Sequence, residues 1–542
     1  MSENDLTLDR DDVKIEVIRL INDGHSRREA AEVLGLSKSA VVRFIRGDSY
    51  KEWWEQNHKP FAAGSFHDHH TNVKKLGHKR YIFMSAQNNT FCHKEGLKSI
   101  EVCADRLGAE IFVGTFTYNK SGFMKLDDDD IWYDPKIREY IVDEPVEVAP
   151  GLMWLGELNI GPTAVNPLSG LHSYAKNKSA VVPHAKVQLE SLPTDKGEQA
   201  RMMYTTGAIT KRNYVQKKAG QKASTHHVFG ALLVEVDHDG QYFARQIVIE
   251  SDTGNFYDLD TYYTPEGYTT GHTLEAIQYG DIHVEKADHE RNALLYGNRE
   301  DSLLNWLKPK HQFIHDVLDF ESRNHHSIND PYFRFRMYVE GKDKVEENVE
   351  QVGDFLTDIR RDYSNTIVVE SNHNEALTRW LREADYKVDP PNAVFFLECQ
   401  LAMYKSIERG QERFSILECA LKQILDYDLG KETTFLHRDD SFKICDTDKN
   451  GIQCSNHGDM GVNGARASIT SFQKLGIRLN VGHSHTTGIR DGVYQAGISF
   501  IEEEAKYARG PGSWSPSHIL TYRNGKRAIV TQAPDGRVRA TN

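Results

Sequence analysis

The side chains able to do chemistry in this chain are histidines and acids paired at short spacing. Val481-Gly482-His483-Ser484-His485-Thr486 follows a short alternating run, Ile477 to Val481. Were that strand to continue, His483 and His485 would share one face, because side chains i and i+2 point the same way. Gly482 lets the backbone turn tightly beside them. Four groups lie upstream. Asp281-Ile282-His283 follows the strand-like Ala276–Tyr279, and Asp316-Val317-Leu318-Asp319 follows Phe313-Ile314-His315. Asn372-His373 follows Asn365–Glu370 and precedes a helix beginning near Ala376. His457-Gly458 comes after a short strand candidate at Phe442–Cys445 and a loop. Each group alone is weak, and a hydrogen-bonded surface pair would explain it. Together, in this order and mostly at strand ends, they point to one metal centre.

Imidazole, amide and carboxylate ligands without thiolate fit Mn, Fe or Zn better than Ca. Two such cations, about 3.5–4 Å apart in two-metal sites, bind phosphate oxygens and sharpen a hydroxide. A carboxylate offsets their charge, while neutral imidazole and amide ligands leave the ions Lewis-acidic. A histidine facing the phosphate can protonate the leaving oxygen.

The order Asp-x-His, Asp-x-x-Asp, Asn-His, His, His-x-His resembles the calcineurin-like metallophosphoesterase family, which includes the Mre-type nucleases. The resemblance covers roughly residues 270–500. It implies a β-sandwich flanked by helices and two divalent ions, Mn first, with Zn, Fe or Mg as alternatives. By this resemblance Asp281 and His283 ligate the first metal and Asp316 bridges both. Asp319 matches an acid that supports the site from behind the ligands. Asn372 ligates the second metal and His373 faces the scissile phosphate. His457 matches the isolated histidine, with His437 as a rival; His483 completes the second metal and His485 the first. His315 and Ser371 stand where the family usually has Gly, which puts the local turns in doubt.

The elements that must position these residues form an α/β chain. Residues 1–57 read as a helical unit. Val13, Val17, Ile18 and Ile21 are at helical spacing, Ser26-x-x-Glu29 is a capping box, and Ser37 caps a third helix with Val41 and Phe44. Ala31, Gly35, Val41 and Phe44 resemble a helix-turn-helix, with Lys38, Ser39, Arg43 and Arg46 as its DNA-facing candidates. A three-helix protein-interaction module is the alternative. Residues 58–78 read as a linker; its His67-x-His69-His70 reads as a solvated loop before a metal site. A central α/β region, 79–225, opens with a strand at Tyr81–Ser85, a helix at Lys94–Leu107 and a strand at Ala109–Phe116. The turn Ala86–Thr90 sits where α/β ligands bind, though ordinary turn chemistry accounts for it. The acidic run Asp127–Asp130 lacks calcium-loop spacing. Residues 226–512 hold a hairpin (FGALLVEV, YFARQIVIE) and the metal motifs, with Arg466 in a Gly-rich loop as a phosphate-binding candidate. Residues 513–542 read as a tail of edge strands.

Composition bounds the class. A chain of 542 residues with 39% hydrophobic and 27% charged residues reads as globular. The net charge of −13 argues against a diffuse, histone-like nucleic-acid binder. No apolar run approaches the roughly 20 residues of a membrane span. Six cysteines are too few for a disulfide framework. A reducing cytoplasm is expected, the host's if the chain is phage-encoded, with no membrane partner; a homo-oligomer stays open. The whole arrangement also resembles a group of tailed-phage proteins, among them a pre-early protein linked to host-DNA degradation. That resemblance implies a metal-dependent DNase whose partner is DNA. Two other readings are carried: a phosphomonoesterase or small-nucleotide phosphodiesterase, and a non-enzymatic DNA-binding protein with a vestigial metal site.

Overall fold

In the computed structural model the described residues are 79–120, 131–446, 451–505 and 509–541. Eight separate positions between Val13 and Val41 are also described. The chain divides into two compact units, Met1–Lys75 and Leu76–Asn542. In the first, Val17, Ala31 and Val41 are helical, buried and packed together, with Val13, Leu34 and Leu36 against them. The side chains proposed to face DNA, Lys38, Ser39, Arg43 and Arg46, lie outside the described residues, as do His67–His70 and Asp127–Asp130.

The second unit is mixed α/β. Its central six-stranded sheet runs Thr433–Phe435, Asn365–Val368, His311–Ile314, Ala276–Gln278, Ser517–Thr521, Arg527–Thr531. The first four strands are mutually parallel and the last two antiparallel. The parallel strands are short and mostly buried, because both faces are covered. Ile277, Ile314 and Val368 face a core built with the helices Val345–Asp358, Asn374–Glu383 and Ala393–Glu408. Their neighbours Ala276, Phe313 and Ile367 face the other way, onto Ile444, Ile452 and Cys454.

Ile444 and Ile452 belong to a ten-stranded sheet. It runs from Lys443–Ile444 through Ile452–Gln453, Arg478–Val481, Val493–Gln495 and Gly488–Arg490 to Leu189–Leu192, and on to Arg201–Thr205, Ser179–Val182, Leu152–Leu155 and Pro145–Ala149. The unit also has a four-stranded sheet, Ala109–Phe116, Lys79–Gln87, Gly230–Val236, Tyr242–Val248, and a small three-stranded one, Phe256–Asp258, Thr261–Thr264, Gly267–Thr269. The three larger sheets meet in one core containing Phe83, Trp154, Leu232, Tyr494, Ile519 and Ile529. Beside it, buried Arg245 binds Asp258 at 2.8 Å and Glu235 at 3.2 Å.

Several sequence expectations meet a different layout. The boundary expected at 225/226 cuts through a continuous sheet, since Leu189 pairs with Ile489. The tail is not a separate edge element either. Ser517–Thr521 lies inside the six-stranded sheet against Ala276–Gln278, and only Arg527–Thr531 forms the edge. In the turn after Lys79–Gln87, the side-chain oxygens of Asn88 and Asn89 accept from Tyr118 N and Trp132 N, and the Gln87 amide pairs with Asn213. This is turn chemistry, with those amides already engaged. Among the described residues no helix is long and apolar enough to cross a membrane.

Candidate metal centre

The ligand candidates collect where the parallel strands end, the side of an open α/β sheet on which ligands bind. Asp281 and His283 follow Ala276–Gln278, Asp316 and Asp319 follow His311–Ile314, and His373 follows Asn365–Val368. The ten-stranded sheet supplies His457 after Ile452–Gln453, and His483 and His485 after Arg478–Val481. Asp281, His283, Asp316 and His485 form one group of converging ligand atoms; Asp316, His457 and His483 form another. Asp316 is common to both.

The strand does not carry His483 and His485 onto one shared face, as alternation would have done; the two reach different groups. It ends at Val481, and both residues have left-handed backbone, φ 69° and 61°. His283 and Asp316 are also left-handed, φ 46° and 45°. Such conformations are costly for residues with a Cβ and cluster at functional sites. Two glycines make the close approach feasible. A Cβ at Gly280 would lie 2.6 Å from the backbone of Ile498, and one at Gly482 would lie 2.3 Å from Asp281 Oδ1.

The donor set fits a divalent cation. Asp281 Oδ1, His283 Nε2, both Asp316 oxygens and His457 Nε2 are buried without a hydrogen-bond partner among the described residues. Buried polar atoms are otherwise almost always paired. His457 Nε2 stands 3.1 Å from Asp316 Oδ2, and His485 Nε2 is 3.3 Å from Asp281 Oδ2. Behind the ligands, Asp319 accepts from His283 Nδ1 at 2.6 Å and from Lys286 Nζ at 2.6 Å. That carboxylate fixes the His283 tautomer so that Nε2 is the free ligand atom. Glu285 in turn accepts from the backbone N–H of Asp319 and of Phe320. The Asp281 carboxylate also accepts the His483 N–H at 2.8 Å.

Burial opposes charge on His457, but the Asp316 and Asp281 carboxylates outweigh it and push its pKa up to about 9. Burial, with His457 beside it, takes His315 down to about 4. Burial would raise Asp316, yet His457 and His373 hold its carboxyl well below the usual range. His373 is raised, since Asp316 and Asp319 outweigh its burial.

A cleft of about 930 Å³ opens over the centre, with His373, His483 and Asn372 in its wall. Asn372 is exposed there rather than buried with the other candidates. Arg336, Arg379, Arg466 and Arg509 also line the cleft, with Tyr332 and Phe333 from the helix Pro331–Val339. His437, the rival to His457, is outside the converging groups. Sequence reasoning missed Lys286, Glu285 and Arg438, which grips Glu375 at 2.8 Å and Asp459 at 2.6 Å. Lys286 and Glu285 sit three and two residues after His283, a proximity that could have flagged them. Nothing local marks Arg438.

No family model matches the chain, and no solved structure matches it. It is 42% identical over 486 residues to protein A1 of Escherichia phage T5, a match covering 88% of this chain and 86% of the relative.

Proposed function

This chain belongs to the family of protein A1 of Escherichia phage T5, and we propose that it is a metal-dependent phosphodiesterase acting on DNA. The observation that carries the reading is the pair of ligand groups sharing Asp316 at the base of an arginine-lined cleft. It joins the metallophosphoesterase order of motifs to a place for a polyanion. A phage relative and the looser likeness to tailed-phage proteins support host DNA as the setting.

In this reading Asp281, His283, Asp316 and His485 would hold one ion. Asp316, His457 and His483, with Asn372 from the cleft wall, would hold the other. Divalent ions there would neutralise a phosphoryl group and lower the pKa of water. The rest is done by the protein. Asp316 offsets charge on both sides. His373 Nδ1 donates to the Asp319 carbonyl at 2.8 Å, which leaves Nε2 for the substrate. With that nitrogen protonated, His373 serves the departing oxygen as general acid. Arg379, Arg466 and Arg509 bind flanking phosphates, and Tyr332, 86% exposed at the cleft, offers a face for a base. The N-terminal unit, through Lys38, Ser39, Arg43 and Arg46, tethers duplex.

The cleft volume also lies within the roughly 300–1,000 Å³ of small-ligand pockets, which favours the phosphomonoesterase or small-nucleotide alternative. The test is incubation with linear and circular plasmid under EDTA, Mg, Mn or Zn, beside Asp316→Ala. Mn-stimulated cleavage lost in the variant supports the proposal. Turnover of nucleoside phosphates without polymer cleavage moves the assignment to the small-substrate reading. Metal-independent DNA binding with no turnover leaves the non-enzymatic one.

A further inference from the structure

His315 is the buried group at this centre that the motif order does not use. Its ring is fully buried, and its Nδ1 lies 3.3 Å from Nδ1 of His457. The rings are 5.5 Å apart and tilted by 31°. A nitrogen–nitrogen contact of this kind admits one proton: one ring donates and the other accepts. The far nitrogen of each ring is buried without a hydrogen-bond partner among the described residues. That of His457 stands 3.1 Å from Asp316 Oδ2 in the group formed with His483, while His315 also converges with Asp281 and His457. With His457 Nε2 as the ligand atom, as proposed above, its proton is on Nδ1 and His315 is the acceptor.

Another metal-facing histidine makes a contrast. His283 gives its Nδ1 proton to the Asp319 carboxylate, itself held by Lys286. The partner of a ligating imidazole fixes its tautomer and orientation and tunes its basicity. An anionic acceptor makes the ligand more basic than a neutral one does. The two histidines therefore carry unequal support.

We propose that His315 is a positioning residue for the second metal: it accepts the Nδ1 proton of His457, fixes Nε2 toward the ion, and, being a neutral acceptor, makes this the weaker of the two sites. The inference rests on the metal centre proposed above but not on DNA as the substrate.

The experiment is a Mn titration of the full chain, wild type and variants, in competition with a fluorescent chelator, so it reads binding and not turnover. Wild type is expected to bind two equivalents with unequal affinity. His315→Leu, which cannot accept a hydrogen bond, should weaken the second equivalent about 10–100-fold, the usual effect of removing such a partner, and leave the first unchanged. His315→Gln, whose carbonyl oxygen can accept, should restore affinity to within a few-fold. Three results would overturn the proposal: Leu behaving as wild type, Leu and Gln equally impaired, or the second equivalent absent in both, which would make His315 itself a ligand. A wild type that binds no Mn would overturn the centre as well. Two ions bound as expected without DNA cleavage would uphold the His315 assignment and remove only the DNase reading.

Discussion

Replacing Gly482 by alanine tests the centre through one methyl group. The added Cβ would sit 2.3 Å from Asp281 Oδ1. A carbon–oxygen contact is relaxed near about 3.3 Å, so the carboxylate or the loop must yield by about 1 Å. Asp281 has little room to retreat. It is fully buried, its carboxylate accepts the His483 N–H, and its own backbone is bonded to Gly497 O at 3.0 Å and Ser499 N at 2.8 Å. Gly482 N is likewise tied to His457 O at 2.6 Å. A misplacement of this size costs about 100-fold in rate, or about 2.7 kcal/mol at 1.36 kcal/mol per tenfold. The cost to folding should be about 1–3 kcal/mol, as for other overpacked cores. The assay pairs Mn affinity with turnover of bis(p-nitrophenyl) phosphate and of linear DNA, and with melting in EDTA. We expect turnover to drop by about 100-fold on both substrates, Mn binding to weaken, and the metal-free melt to move only a few degrees. A Gly482→Ala protein with wild-type Mn affinity and turnover would refute the placement of Asp281 Oδ1 as a ligand atom.

Three further outcomes follow from the same geometry. His373→Gln should lower DNA turnover by about 10²–10⁴-fold, and the deficit should shrink for a p-nitrophenyl ester, whose leaving group needs no proton; equal deficits would remove the acid role. Mn at about 100 times its Kd should add about 2.7 kcal/mol of stability and raise Tm, and Asp316→Asn should abolish most of that rise; identical melts with and without Mn would mean the cluster is no cation site. Arg245→Met leaves Asp258 buried without its cation and Glu235 with Arg80 alone, and should cost about 3–5 kcal/mol at neutral pH. The pH dependence has a definite sign. Burial would raise Glu235, but Arg245 and Arg80 hold its folded pKa below the ordinary 4.5. Its stabilisation is thus present above that value and lost as pH falls through the folded one. The gap between wild type and variant in thermal melts should narrow below about pH 4.5, and a constant gap would contradict the network.

Legibility in the sequence followed the range of the forces involved. The helix Lys94–Leu107 could be read because its signals are local: His93 caps Gly96 N and Gly108 closes it at φ 62°. The ligand candidates could be read because metal chemistry restricts residue types and strand ends restrict their place. How His483 and His485 reach their partners could not, because two left-handed residues replace the strand geometry that alternation presumes. Strands such as Leu152–Leu155 and Ser179–Val182 were hidden for another reason. Every residue in them is buried, so no alternation marks them. His315 was visible only as a misfit, since its partner His457 is 142 positions away.

The ten-stranded sheet has a consequence for the making of the protein. Arg490 and Glu190 pair across it from positions 300 residues apart. At about 5–20 residues per second of synthesis, the earlier strands wait about 15–60 s for their neighbours. Until then Leu189–Leu192 is an open edge, the kind of surface on which chains mispair. His483 and His485 come off the ribosome with the strands that close that edge. The centre is thus assembled only once residue 485 has been made, and a chain halted before residue 483 has an unfinished sheet and neither of those ligands.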